Sequence, residues 1–167
     1  NYSPKMSAGA CSRDIYRRRS LAGTDEELNS EGLCMSNTSI DQFLGCSSFA
    51  VVGASKDRSK YGNKVLRCYL QNDRRVFPIN PRSETVEGLD CYRDLASIPE
   101  RVEAVSVITP PAISEGVIQQ TAELGIKHIW LQPGAENPRC IELGEEFDLN
   151  LIAGGPCLLV ALGYREN

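Results

Sequence analysis

Histidine is nearly missing from this 167-residue chain, which has His128 and no other. A single imidazole excludes a histidine-rich metal site, and one set inside an apolar run leaves no Ser-His-Asp set to build. Long hydrophobic runs are also lacking. The longest, from about Cys157 to Leu162, falls far short of the ~20 residues that cross a bilayer, so no membrane span is expected. Seven cysteines are an odd number, they are scattered, and none forms a C-x-x-C pair. That spacing suits neither a disulfide framework nor a zinc site, and points to a reducing, intracellular compartment. Basic residues are in the minority, 18 against 22 acidic ones, for a net charge of −4; this argues against a protein that coats nucleic acid. Two nucleotide signatures are missing as well: there is no full G-x-G-x-x-G and no G-x-x-x-x-G-K-[ST].

What charge there is, is unevenly placed. Between Ser55 and Arg82 stand eight bases and two acids, a net of +6 inside a chain that totals −4. A run of bases is commonly a solvated helix face. Here it surrounds a loop shaped for phosphate, which favours an anion site. That loop follows Phe49–Ser55, FAVVGAS, a short β-type run broken at Gly53-Ala54-Ser55 ahead of a helical segment from Tyr61. Small residues at such a bend admit an anion close to the backbone, and a helix start supplies N–H groups and a favourable dipole.

Residues 1–38 read differently from the rest. Apolar residues are sparse, and Arg17-Arg18-Arg19 precedes an acidic patch at Asp25, Glu26, Glu27 and Glu31. With no periodicity to bury, this arm has no core of its own and is expected to dock on the body or on a protein partner. The chain begins on Asn1 and not Met, as expected if residues precede this end or have been removed from it, by cleavage of an organellar presequence or by other trimming, and Met35 is an alternative internal start.

Residues 39–167 alternate strand and helix. A short helix carries Ile40, Phe43 and Leu44 and stops at Gly45; a strand covers 49–53. The helix over 61–72 is expected to turn Val65, Leu66, Tyr69 and Leu70 inward. Further strands fall at 76–79, 104–108, 128–131 and 149–153, with a crossover at 85–92 that turns at Gly88. Pro111 opens a helix to about Leu124, with Ile113, Val117, Ile118 and Thr121 inward, and another helix covers 138–147. Near-continuous apolar strands alternating with helices predict an α/β fold. It is Rossmann-like and doubly wound, a mainly parallel five-stranded sheet with helices on both faces. Trp130 belongs in the core and His128 at a strand edge.

Ligands of such sheets bind beyond the carboxyl ends of the strands. The breaks at 53–55, 80–82, 109–111, 132–134 and 154–157 all fall there. Where NAD would need a carboxylate after the second strand stands Arg82, suited to a ribose phosphate, which NADP and coenzyme A both carry. Ser55 has a capping role as its plainer alternative, and Arg82 a surface pair with Glu84.

Together GAS at 53–55, NPR at 80–82, TPP at 109–111, WLQPG at 130–134 and GGPC at 154–157 resemble the small stand-alone CoA-binding domain proteins. More distantly they are similar to the nucleotide domain of the succinyl-CoA synthetase alpha subunit. The resemblance spans about residues 40–162. It implies that Gly53, Ala54 and Ser55, with Arg58, Lys60 and Gly62, hold a pyrophosphate. Asn80, Pro81 and Arg82 would take the ribose 3′-phosphate, and Thr109, Pro110, Pro111 and Ile113 would wall the adenine. Gln132 and Gly134 would line the pantetheine path, with Cys157 near the thiol end.

The expected function is a non-catalytic coenzyme A or acyl-CoA binding protein: a carrier, sensor or regulatory subunit. The ligase family acts through a phosphorylated histidine on a second domain, and no paired carboxylates stand out among the rim loops. One alternative is an accessory subunit of a large, possibly mitochondrial, assembly that keeps the fold. Another is an NADP-binding oxidoreductase, for which no proton donor can be named. The compartment is expected to be the mitochondrial matrix or the cytosol, leaning to the former.

Overall fold

The computed structural model describes residues 37–166; the expectations for the N-terminal arm lie almost wholly outside them. In chain order the elements are α1 (Asn37–Leu44), β1 (Ser48–Val52), α2 (Tyr61–Gln71), β2 (Arg75–Ile79), β3 (Thr85–Val86) and β4 (Leu89–Asp90). A 3-10 turn at Leu95–Ser97 follows, then β5 (Ala104–Val107), α3 (Pro111–Glu123), β6 (His128–Leu131), α4 (Pro138–Glu146), β7 (Asn150–Ile152) and α5 (Leu158–Ala161).

Five strands form one sheet in the order β2-β1-β5-β6-β7, every neighbouring pair parallel. All residues of β1 and β5 are buried, as a sheet covered on both faces requires. Strand alternation sorts the side chains into two cores. Phe49 and Val51 pack with Phe43 of α1, Val65, Leu66 and Tyr69 of α2, Trp130, and Leu158 of α5. Ala50 and Val52 pack with Val105, Val107, Ile129, Ile118 of α3, and Cys140 and Leu143 of α4. Trp130 is fully buried, as its apolar strand context predicts, and its indole N–H donates to the Pro156 carbonyl at 3.0 Å.

The chain runs from β1 outward to β2 and then returns to the other side of β1 as β5. Loops leaving β1 and β5 therefore part in opposite directions, and a crevice opens between them. This switch point fixes where the rim loops can meet.

Three expectations need correction. Leu70 is 37% exposed rather than inward. Helical spacing does set it one turn after the buried Leu66, but it falls in the last turn of α2, where it borders a surface recess with Arg58, Arg67, Gln71 and Glu87 instead of the core. Ile113, expected inward on α3, is 56% exposed. The segment at 85–92, read as a crossover, is an antiparallel hairpin of β3 and β4. Its turn is Glu87-Gly88, with φ of 50° and 78°, the left-handed pair that a tight hairpin demands. After the hairpin, Tyr92 joins the edge of the main sheet. Its N–H donates to the Pro78 carbonyl and its carbonyl accepts from the Asn80 N–H, each at 2.9 Å.

Candidate functional site

The bend after β1 begins at Gly53, whose φ of +95° any side chain would strain. The N–H groups of Gly53 and Ala54 both donate to the Ile79 carbonyl, at 3.1 and 3.3 Å. Backbone donors open to an anion therefore start only at Ser55. The Ser55 hydroxyl accepts from the Asp57 N–H at 3.1 Å and so closes a local turn; it does not cap α2. The capping position belongs to Lys60, which makes no side-chain cap hydrogen bond. Gly62 acts by having no side chain: a Cβ there would lie 2.0 Å from the Gly53 carbonyl oxygen. The missing atom lets the start of α2 press directly on the bend.

A cavity of about 480 Å³ opens at the switch point. Gly53, Asn80, Pro81, Arg82, Thr109 and Ile113 line it, six residues that the sequence singles out. Asn80 joins the bend after β1 to the loop after β2. Its side-chain amide donates to the Ala54 carbonyl at 2.7 Å, and its side-chain oxygen accepts from the Arg82 N–H at 2.9 Å. The exposed Arg82 is thus fixed at its backbone, and its guanidinium makes no ion pair with a described residue, Glu84 included. On the opposite wall the Ser114 hydroxyl holds the Thr109 turn, 3.0 Å from both its Oγ1 and its carbonyl. Pro110 sets the start of α3 with Pro111 as its first residue, and this exposes Ile113 toward the cavity.

Beside the cavity a polar latch secures the loop before α2. Arg58 donates twice to Glu87, at 3.1 and 2.9 Å. The fully buried Asn63 donates to Glu87 at 2.9 Å and to the Ser55 carbonyl at 2.7 Å, and accepts from Arg67 Nε at 2.9 Å. Hydrogen bonds from Arg58 and Asn63 hold the Glu87 carboxyl down to about 2. Arg58, expected to hold a pyrophosphate, is therefore already engaged by a carboxylate.

A second cluster lies past the end of β6. Gln132 is completely buried; its side-chain oxygen accepts from the Leu158 N–H at 3.1 Å, while its Nε2 has no hydrogen-bond partner among the described residues. The Tyr61 hydroxyl reaches the same oxygen at 3.5 Å and touches Cys157 Sγ. Burial raises the Tyr61 phenol, with the hydrogen bond to Cys157 adding to it, so the group stays a neutral donor. Gly134 stands on an exposed turn, its N–H donating to Glu136 at 3.0 Å.

Most of the sequence-chosen residues thus fall into three adjoining groups. One lines the cavity, one is the loop of Ser55, Arg58 and Lys60 with Gly62 at the start of α2, and one is Gln132 with Cys157; Tyr61, first residue of α2, links the last two, while Ala54, Pro110, Pro111 and Gly134 fall in none of them. Sequence reasoning missed Tyr61, Arg93, Val117 and Gln120, of which the last three line the cavity. Val117 and Gln120 are findable from Ile113 by helical spacing. Arg93 had no local signal, because its position depends on Tyr92 pairing with β2.

Residues 47–163 match a family model described as the CoA binding domain. The chain is 25% identical over 139 residues to the alpha subunit of ADP-forming acetate–CoA ligase II of Pyrococcus furiosus, covering 77% of this chain and 30% of that one. Among solved structures, a conserved hypothetical protein from Pyrococcus furiosus is 35% identical with a TM-score of 0.65, covering 68% of this chain and 97% of its own. Acetyl-coenzyme A synthetase 1 of Ca. Korarchaeum cryptofilum, solved with phosphate and ADP, is 27% identical with a TM-score of 0.61, covering 68% of this chain and 27% of its own. The chain spans 11 to 30% of the length of the curated relatives it matches. The relatives named here are archaeal, which lends the mitochondrial expectation no support. No helix among the described residues is long and apolar enough to cross a membrane.

Proposed function

The chain belongs to the CoA-binding domain family, and from that premise we propose that it binds coenzyme A or an acyl-CoA across the rim just described, as a carrier, sensor or regulatory module. The observation that carries this reading is the cavity at the switch point, with Ile113 and Val117 on one wall and Arg82 on the other. An adenine ring needs an apolar, partly open slot, and a ribose phosphate needs a guanidinium that no carboxylate has claimed. In this reading adenine lies against Ile113 and Thr109, and the ribose 3′-phosphate meets Arg82. The pyrophosphate faces the Ser55 N–H and the uncapped start of α2, with Lys60 at its edge. The pantetheine arm then runs toward Gln132, whose buried Nε2 awaits an acceptor such as an amide carbonyl. Cys157 stands near its end.

Calorimetry of the full chain with CoA, dephospho-CoA, NADP and ATP tests the proposal. CoA is expected to bind tightest; a preference for NADP would overturn the reading. Arg82→Ala is expected to weaken CoA about tenfold, the scale of one charge-assisted contact, and to leave dephospho-CoA within about twofold. Equal losses for both ligands would remove the 3′-phosphate from Arg82.

A further inference from the structure

Resting on that reading, we propose that Arg93 is a second phosphate-reading cation and that it closes on the ribose 3′-phosphate together with Arg82. Its place follows from backbone pairing. Tyr92 forms a parallel bridge with Ile79, at the end of β2, and exchanges hydrogen bonds with Pro78 and Asn80. The next residue is therefore delivered to the rim beside Asn80-Pro81-Arg82, and Arg93 lines the same cavity as Arg82.

Both arginines are exposed, and neither guanidinium pairs with a carboxylate among the described residues. Arg58, Arg75 and Arg139 are engaged by Glu87, Glu100 and Glu142, while Arg101 and Arg165, which also lack an ion pair among the described residues, do not line this cavity. One carboxylate does line the cavity, that of Asp94. It is turned to the 3-10 turn behind it, where its Oδ1 accepts from the Ser97 N–H at 2.8 Å and from the Ser97 hydroxyl at 2.7 Å. Those bonds fix the backbone beside Arg93 and direct the negative charge into the turn. Two guanidiniums anchored on neighbouring backbone segments suit a terminal phosphate monoester, which offers three oxygens and nearly two charges. A bridging diphosphate offers fewer oxygens to one side and faces the bend after β1 instead.

The test is calorimetry of the full chain and its Arg93→Ala, Arg93→Lys, Arg82→Ala and double variants with CoA and dephospho-CoA. Arg93→Ala is expected to weaken CoA about tenfold and dephospho-CoA by less than about twofold. Arg93→Lys is expected to recover only part of the loss, because an ammonium lacks the planar fork. The double variant is expected to bind CoA no better than dephospho-CoA. If Arg93→Ala leaves CoA affinity unchanged, or weakens both ligands alike, the two-arginine clamp is wrong while CoA binding itself stands. A wild-type chain that does not bind CoA removes both.

Discussion

The contact between Gly62 and the bend after β1 lends itself to a sharp test. Replacing Gly62 with alanine puts a Cβ 2.0 Å from the Gly53 carbonyl oxygen and 3.0 Å from its carbon, where real Cβ atoms essentially never come under 3.0 Å. The start of α2 and the bend must then separate by about 1 Å, and both obstacles are backbone. Overpacking that flexible side chains can absorb costs about 1–3 kcal/mol. Here nothing flexible can yield, so roughly 3 kcal/mol is expected, less the ~0.5–1 kcal/mol that removing a glycine from the unfolded chain returns. With a urea m-value of about 1–3 kcal/mol/M, the midpoint should fall by roughly 1–2 M. Gly116 is the internal control. It is exposed within α3, and a Cβ there would meet nothing within 4 Å. Gly116→Ala is therefore expected to raise stability by about 0.5–1 kcal/mol. Urea unfolding followed by Trp130 fluorescence reads both variants. A Gly62→Ala midpoint equal to or above wild type would refute the close-packing argument.

Two further outcomes follow from the polar contacts. The Glu87 carboxyl is depressed to about 2, so its stabilisation is full above the ordinary glutamate range and disappears as pH falls through about 2. Its Arg58 partner is 62% exposed, and solvent screening reduces the roughly 3 kcal/mol implied for Glu87 to about 1–2 kcal/mol. Glu87→Gln should cost that much at pH 7, and the gap from wild type should shrink by about half or more by pH 3; a pH-independent gap in chemical unfolding contradicts it. Inside the sheet, the Tyr69 hydroxyl meets Ser106 Oγ at 2.7 Å and both residues are fully buried. Tyr69→Phe should cost about 1–2 kcal/mol by stranding Ser106, while Tyr69→Phe with Ser106→Ala should cost less than the sum of the singles. Additivity in thermal or urea unfolding would show that the pair does not interact.

Much of the fold was legible because its signals are local. Unbroken apolar runs bounded by Gly and Pro gave all five sheet strands to within about a residue, and Pro111 marked the start of α3. Five of the six cavity residues were legible for the same reason, since each lies in the loop that leaves a strand end; Ile113, inside α3, came only from the family resemblance. What the sequence hid depends on contacts between distant segments. Arg58 reads as a free cation until Glu87, 29 residues on, is brought against it by the hairpin. Gly53 and Ala54 read as open donors until β2 supplies the Ile79 carbonyl. Leu70 read as inward from its helical spacing to Leu66, but the last turn of α2 reaches past the core to a surface recess beside Arg58 and Glu87.

The return of Tyr92 to the edge of β2 carries a consequence for the autonomy of recognition. One side of the ligand cleft is assembled from a single stretch, residues 76–94, folded back on itself through the hairpin. The same stretch feeds both cores, through Ile79 on one side of the sheet and Val76 and Val86 on the other, so the excursion that sets Arg93 beside Arg82 also closes the packing at the β2 edge. The shape of that wall and the packing beneath it are therefore set by one length of chain and stand or fall together.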